Sequence, residues 1–171
     1  VLNKTYHNVL PSASVGFKPS HDVDLVLYYG RILRRPTYNE LRPTSYYINT
    51  YQETTGNPLL QPSVTHRLAL NANYKGFTSS LSYRLMDNAI QRIVEYMPSG
   101  IISEHPINIK HSHAWSLDLG YNYSNSWVNL GVQSSMTLPH VAYPYLDGTR
   151  IEDRPYAVLS LNAQFTVARK F

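Results

Sequence analysis

The residues best equipped for chemistry in this 171-residue chain are histidines. His111 and His113 stand two apart, with Glu104 and His105 a few residues upstream. Positions two apart on a strand share a face, so this pair could present two imidazoles to a surface metal. The same spacing describes exposed imidazoles where a loop enters a strand, and that arrangement is the one expected. No metal and no cofactor is expected. Asp22, Asp24, Asp87 and Asp118 are scattered along the chain, and nothing pairs two of them across one cleft. There is no G-x-S-x-G elbow, no H-E-x-x-H pair and no phosphate loop. Cysteine is absent, which excludes a disulfide scaffold, a thiolate metal site and a cysteine nucleophile. The chain is therefore not expected to be an enzyme.

Tyrosine carries the other chemical possibility, with 15 copies against 4 Phe and 2 Trp. Tyr46, Tyr47 and Tyr51 crowd one Pro-rich connection, and Tyr143 and Tyr145 sit in another. Rigid aromatics on exposed loops can hold a sugar or a peptide, so these five are the candidate ligand-binding residues. They could also form an aromatic girdle or pack loops on one another. The formal net charge of +4 is spread along the chain, with only short basic runs such as Arg34-Arg35. A nucleic-acid footprint needs basic residues clustered on one face, so no nucleic-acid partner is expected.

The elements that position these residues read as strands. From Val64 to Tyr74, Val64, His66, Leu68, Leu70, Ala72 and Tyr74 form a mostly apolar phase. Thr65, Arg67, Ala69, Asn71 and Asn73 form a mostly polar one. A strand segregates these two sets and a helix would mix them. Lys75-Gly76 then makes a two-residue turn, and Tyr74 and Phe77 flank it in the same apolar phase. Two further turns are expected. One is a three-residue loop at Ser20-His21-Asp22, flanked by Pro19 and Val23. The other lies at 123–127, with Ser124 and Trp127 flanking it. Strands are expected at about 8–19, 23–35, 64–74, 77–96, 111–124, 127–137 and 156–168, with long connections at about 36–63, 97–110 and 138–155.

Short turns near residues 21, 75 and 125 alternate with these long connections. That sorting of loop lengths fits an up-and-down outer-membrane β-barrel, with short turns at one end and long loops at the other. In that frame Arg67, Asn71, Asn73, Arg84 and Asp118 face a wet lumen, and the apolar phase faces lipid. No stretch reaches the roughly 18–20 apolar residues of a spanning helix, whereas a barrel strand needs only about 9–11. A soluble β-sandwich, binding carbohydrate or protein through its Tyr-rich loops, would also alternate with period two.

Three motifs occur in order. Arg31-Ile32-Leu33-Arg34-Arg35-Pro36 is followed by Tyr38-Asn39-Glu40-Leu41-Arg42-Pro43, and then by Gly56-Asn57-Pro58-Leu59-Leu60-Gln61-Pro62. This order resembles the barrel half of TonB-dependent outer-membrane receptors, above all the Bacteroidetes-type receptor-like β-barrels. In that family R-x-x-R-P, Y-x-x-L-x-P and G-N-P-x-L-x-P-E recur, and Ser63 stands here where Glu is common. Arg35, Pro36, Gly56, Asn57, Pro58 and Pro62 are read as structural punctuation, because the prolines cannot donate to a ladder.

The resemblance implies an all-β fold of antiparallel hairpins. About seven strands would come from a large plugged barrel in the bacterial outer membrane. It implies wall and extracellular loops of a nutrient receptor, with outer-membrane lipid, the rest of the barrel and plug, and an inner-membrane energy-transducing complex as partners. The chain carries nothing like a plug domain and reads as an internal piece with an unpaired edge on each side. A non-transporting outer-membrane barrel is the remaining alternative.

Overall fold

The computed structural model describes residues 8–145 and 148–166, with the Tyr145 side chain left out. The elements are β1 (Ser12–Ser20), β2 (Val23–Arg34), α1 (Tyr38–Leu41), β3 (Tyr46–Asn49), β4 (Gln52–Thr54), β5 (Ser63–Tyr74), β6 (Phe77–Tyr96), β7 (Ile102–Ser124), β8 (Val128–Tyr145), β9 (Gly148–Glu152) and β10 (Tyr156–Phe165). All ten strands belong to one sheet. Seven of them, β1, β2, β5, β6, β7, β8 and β10, form an antiparallel meander in that order.

The pairing keeps the two phases apart across the whole sheet. Residues directly opposite one another point to the same face. Starting from Val15, successive partners are Leu27, Leu70, Leu81, Leu117, Met136 and Ala157. One residue along, the row reads Gly16, Val26, Asn71, Ser80, Asp118, Ser135 and Val158. The first row and its neighbours stay uncovered: Val15, Leu27, Leu70, Leu81 and Met136 are all exposed. Among the described residues only Leu60, Ala69, Ile93, Ile109 and Val128 form a buried apolar set. A β-sandwich would bury the apolar phase between two sheets. One sheet with a bare apolar face overturns that alternative.

The three tight turns differ in build. Lys75 and Gly76 both have positive φ, 43° and 81°, which is the twist a two-residue hairpin needs. A Cβ on Gly76 would also lie 2.6 Å from the Asn122 carbonyl oxygen. The first turn is two residues, not three. Ser20 pairs with Val23, and Lys18 and Pro19 together oppose Asp24 as a bulge, which restores Phe17 to Leu25. The third turn is longer than expected, with Ser124 paired to Asn129 rather than Trp127. Asn125 closes it, its side-chain oxygen accepting from the backbone N–H groups of Trp127 at 3.0 Å and Val128 at 2.8 Å.

The upper strands run further than the sequence reading expects. Strand β7 begins at Ile102, not near 111, and β8 continues to Tyr145, not 137. The expected connections at 97–110 and 138–155 are thus mostly ladder. Strand β1 starts at Ser12, and β10 is described to Phe165, so Val167 and Ala168 lie outside the described residues. The prolines misled because each sits where one edge of its strand carries no ladder. The β8 ladder on β7 stops at Ser112, which leaves Pro106 on an edge that carries no ladder. Pro139 lies between the β10 ladder, ending at Thr137, and the β9 ladder, starting at Val141. Pro144 lies where β8 has already left β7.

Replacing Leu81 by Arg is expected to destabilise the folded protein in lipid by about 2–4 kcal/mol. Replacing its neighbour Ser80, on the opposite face across from Asp118, should change little. Urea unfolding in vesicles measures both.

Candidate functional site

The connection from β2 to β5 is an organised structure. Thr37-Tyr38-Asn39-Glu40 is a capping box: Glu40 N–H donates to the Thr37 hydroxyl at 3.4 Å, and Thr37 N–H donates to the Glu40 carboxylate at 2.8 Å. Glu40 also accepts from the Arg34 guanidinium at 2.6 Å and is itself buried. Burial pushes the Glu40 pKa up, but the Thr37 N–H and the Arg34 charge outweigh it and hold the carboxyl below its ordinary range.

The Gly-Asn-Pro segment then knits this turn to the sheet. Gly56 N–H donates to Arg42 O at 3.0 Å, and any side chain on Gly56 would collide with the Arg42 and Asn39 carbonyls. Asn57 donates from its backbone to Glu40 O at 2.6 Å, and from its side chain to Pro106 O at 3.1 Å. Asn108 accepts from Gln61 N–H and donates to Gln61 O and Asn88 O. Pro36, Pro58 and Pro62 flank these contacts. Arg35 makes no hydrogen bond or ion pair among the described residues; its neighbour Arg34 carries the clamp. The sequence reading missed Arg34 and Glu40, although Thr37-x-x-Glu40 was a visible signal.

Strands β3 and β4 form a hairpin within this connection, and β4 adds to β7 in parallel, Gln52 to Ile102 and Thr54 to Glu104. Tyr46, Tyr47 and Tyr51 lie on this hairpin and are exposed. The Arg42 guanidinium sits 5.8 Å from the centre of the Tyr46 ring. Tyr143 lies on a second hairpin, β8–β9, where its hydroxyl donates to Glu152 at 3.2 Å. A groove of about 380 Å³ joins Tyr143, Arg150 and Glu152 to Arg92, Val94 and Tyr96 of β6. The β3–β4 hairpin joins the other edge of β7, where Gln52 pairs with Ile102, the partner of Tyr96. Sequence reasoning left Tyr96 as a strand end; its place in the groove depends on β8 and β9 rising above β7.

The polar phase forms the other candidate surface. Asn71 and Asp118 share a row through Ser80, and Asn73 lies one row below, opposite Thr78. Arg67 and Arg84 are direct partners. A groove of about 240 Å³ on this side is lined by Thr78, Asp118, Gly120, Gln133, Ser135 and Ser160.

The histidines lie within β7, not at a loop-to-strand junction. His111 pairs its Nδ1 with Asp87 at 2.8 Å, and His113 stacks on His140 at 4.8 Å between ring centres. Glu104 pairs with Arg92, and His105 lies 4.0 Å from Glu95. Among the described residues no group of three or more His, Cys, Asp or Glu is placed to hold a metal.

The model of the outer membrane protein beta-barrel family matches residues 1–171. The chain belongs to that family. Two solved structures from Pseudomonas aeruginosa share the fold. One is the siderophore receptor PirA, at TM-score 0.55 and 14% identity, covering 94% of this chain and 36% of that one. The other is the ferric enterobactin receptor PfeA in complex with enterobactin, at TM-score 0.50 and 12% identity, covering 95% and 33%. The chain thus spans about a third of the receptors it matches. No curated protein matches it.

As an outer membrane protein beta-barrel family member, the chain sits in the outer membrane with its apolar rows against lipid. No helix among the described residues is long and apolar enough to cross a membrane. The ten steps from His113 to Tyr123 run about 33 Å along the strand, or about 25 Å of height at a tilt near 40°. Tyr83 and Trp115 close the top of that band, and Tyr121 and Tyr123 the bottom.

Replacing Glu40 by Gln is expected to loosen residues 36–62, with a loss of about 1–2 kcal/mol of local stability, held down by the half-exposed Arg34. Because the Glu40 pKa is lowered in the folded loop, its contribution is complete above the ordinary carboxylate range. It fades as pH falls through the lowered value. Hydrogen exchange of residues 36–62 against pH follows both effects.

Proposed function

We propose that this chain is wall and extracellular loop of a TonB-dependent receptor that takes up a nutrient across the outer membrane. The observation that carries the reading is the asymmetry of the sheet. One end closes in tight turns tied to each other, as in Asn122 N–H to Gly76 O at 2.9 Å and Lys75 to Asp22 at 3.1 Å. The other end raises two tyrosine-bearing hairpins on strands longer than a membrane requires. The loop-bearing end faces the cell surface and the polar phase lines the lumen, placing Arg67, Asn71, Asn73, Arg84 and Asp118 along the solute path. Tyr46, Tyr47, Tyr51, Tyr143 and Tyr145 make first contact with the ligand.

The likeness to a siderophore receptor and a ferric enterobactin receptor supports uptake as the activity and leaves the solute open. The partners in this reading are outer-membrane lipid, the remaining strands and plug, and the inner-membrane energy-transducing complex. We assign the chain no catalytic role.

The test uses the complete protein that carries this chain. Changing Tyr46, Tyr47 and Tyr51 together to Ala should weaken ligand binding at least roughly tenfold, with the folded band on unheated gels unchanged. Uptake should stop when the energised partner is removed. Binding without energised uptake would mark a non-transporting barrel and overturn the proposal.

A further inference from the structure

Arg67 and Arg84 are opposed across the β5–β6 ladder. Like charges in direct cross-strand register repel, and sheets avoid them. Neither guanidinium makes an ion pair or hydrogen bond among the described residues, and both side chains are exposed on the polar face. Their row continues to Gly30 on one side and to Ala114 and Pro139 on the other, so no acid shares it. Asp87, three residues along β6, falls in the other phase and pairs with His111; on the polar face the nearest carboxylate by register is Asp118, opposite Ser80 and four residues from Arg84. That is about 13 Å along the strand, beyond the roughly 8 Å over which physiological salt leaves charges in contact. Glu40, higher up, is already taken by Arg34 and Thr37.

The surroundings are shaped for a guest. Ala114 leaves Arg84 without a bulky neighbour beside it on β7. The Tyr28 phenol lies where a side chain on Gly30 would be, which brings its hydroxyl beside Arg67. Ser82 and Ser116 form the row below. Two planar guanidinium forks offer donors only, and the phenol O–H adds one more donor, which is the recognition chemistry of an oxyanion.

We propose that Arg67 and Arg84 form a carboxylate-binding site on the polar face, with Tyr28 as a third donor. The site rests on the reading of that face as lumen. Its occupant carries a carboxylate, either an acidic side chain of a segment that fills the barrel or an anionic solute in transit.

The experiment measures the folded-to-unfolded ratio of the complete protein in detergent, at constant ionic strength, with and without citrate. The variants are Arg84→Gln and Arg67→Gln/Arg84→Gln. If the arginines only repel, Arg84→Gln relieves the repulsion and the ratio stays level or rises. If a carboxylate bridges them, Arg84→Gln removes an anchor and the ratio falls about tenfold. Citrate stabilising the wild type but not the double variant assigns the site to a solute. A fall with Arg84→Gln and no response to citrate assigns it to an internal carboxylate. A level or raised ratio for Arg84→Gln, with no citrate effect on the wild type, overturns the proposal. Stability is read without transport, so loss of the uptake reading would leave this result standing.

Discussion

The pairing register is the constraint from which the rest of the molecule follows. Each strand must satisfy its backbone groups against its neighbours, because lipid offers them nothing. Side chains alternate with period two, so a slip of one residue at any ladder would turn every later strand inside out. The chain holds the register by several means. Positive φ at Lys75 and Gly76 sets one hairpin, a bulge at Lys18-Pro19 corrects another, and the Asn125 side chain closes a third. The seven-strand row from Val15 to Ala157 is the outcome.

Once the register is secure, the two ends can differ. The lower end is economical, with neighbouring turns tied together by an ion pair and a backbone bond. The upper end spends extra length. Strands β6, β7 and β8 rise past the lipid band, and beyond the point where β8 parts from β7, β4 pairs with the far end of that edge at Ile102, Ser103 and Glu104. The exposed tyrosines of β3 and Tyr143 of the β8–β9 hairpin are therefore carried on paired strands rather than on loose loops.

Much of this was legible in the residues. The alternation around Val64–Tyr74 and the Lys75-Gly76 turn identify strands, faces and one register unaided. What stayed hidden depends on which strand edge is covered. Pro106, Pro139 and Pro144 read as loop because a proline cannot donate, but each faces an edge without a ladder, a fact set by distant partners. The opposition of Arg67 and Arg84 was within reach, since it follows from the Tyr74–Phe77 turn by counting back. The groove at Tyr96 was not, because it needs the β8–β9 hairpin to fold above the sheet.

The parallel contact between β4 and β7 has a consequence in time. Strand β4 precedes β7 in the chain, and its docking edge is supplied by β7, three strands further along. Some fifty residues separate Gln52 from Ile102, so this is a closure that local hairpins cannot anticipate. The hairpins can zip locally, each on its neighbour. The β3–β4 connection must wait, and an early stretch of sequence is among the last pieces of the wall to find its place.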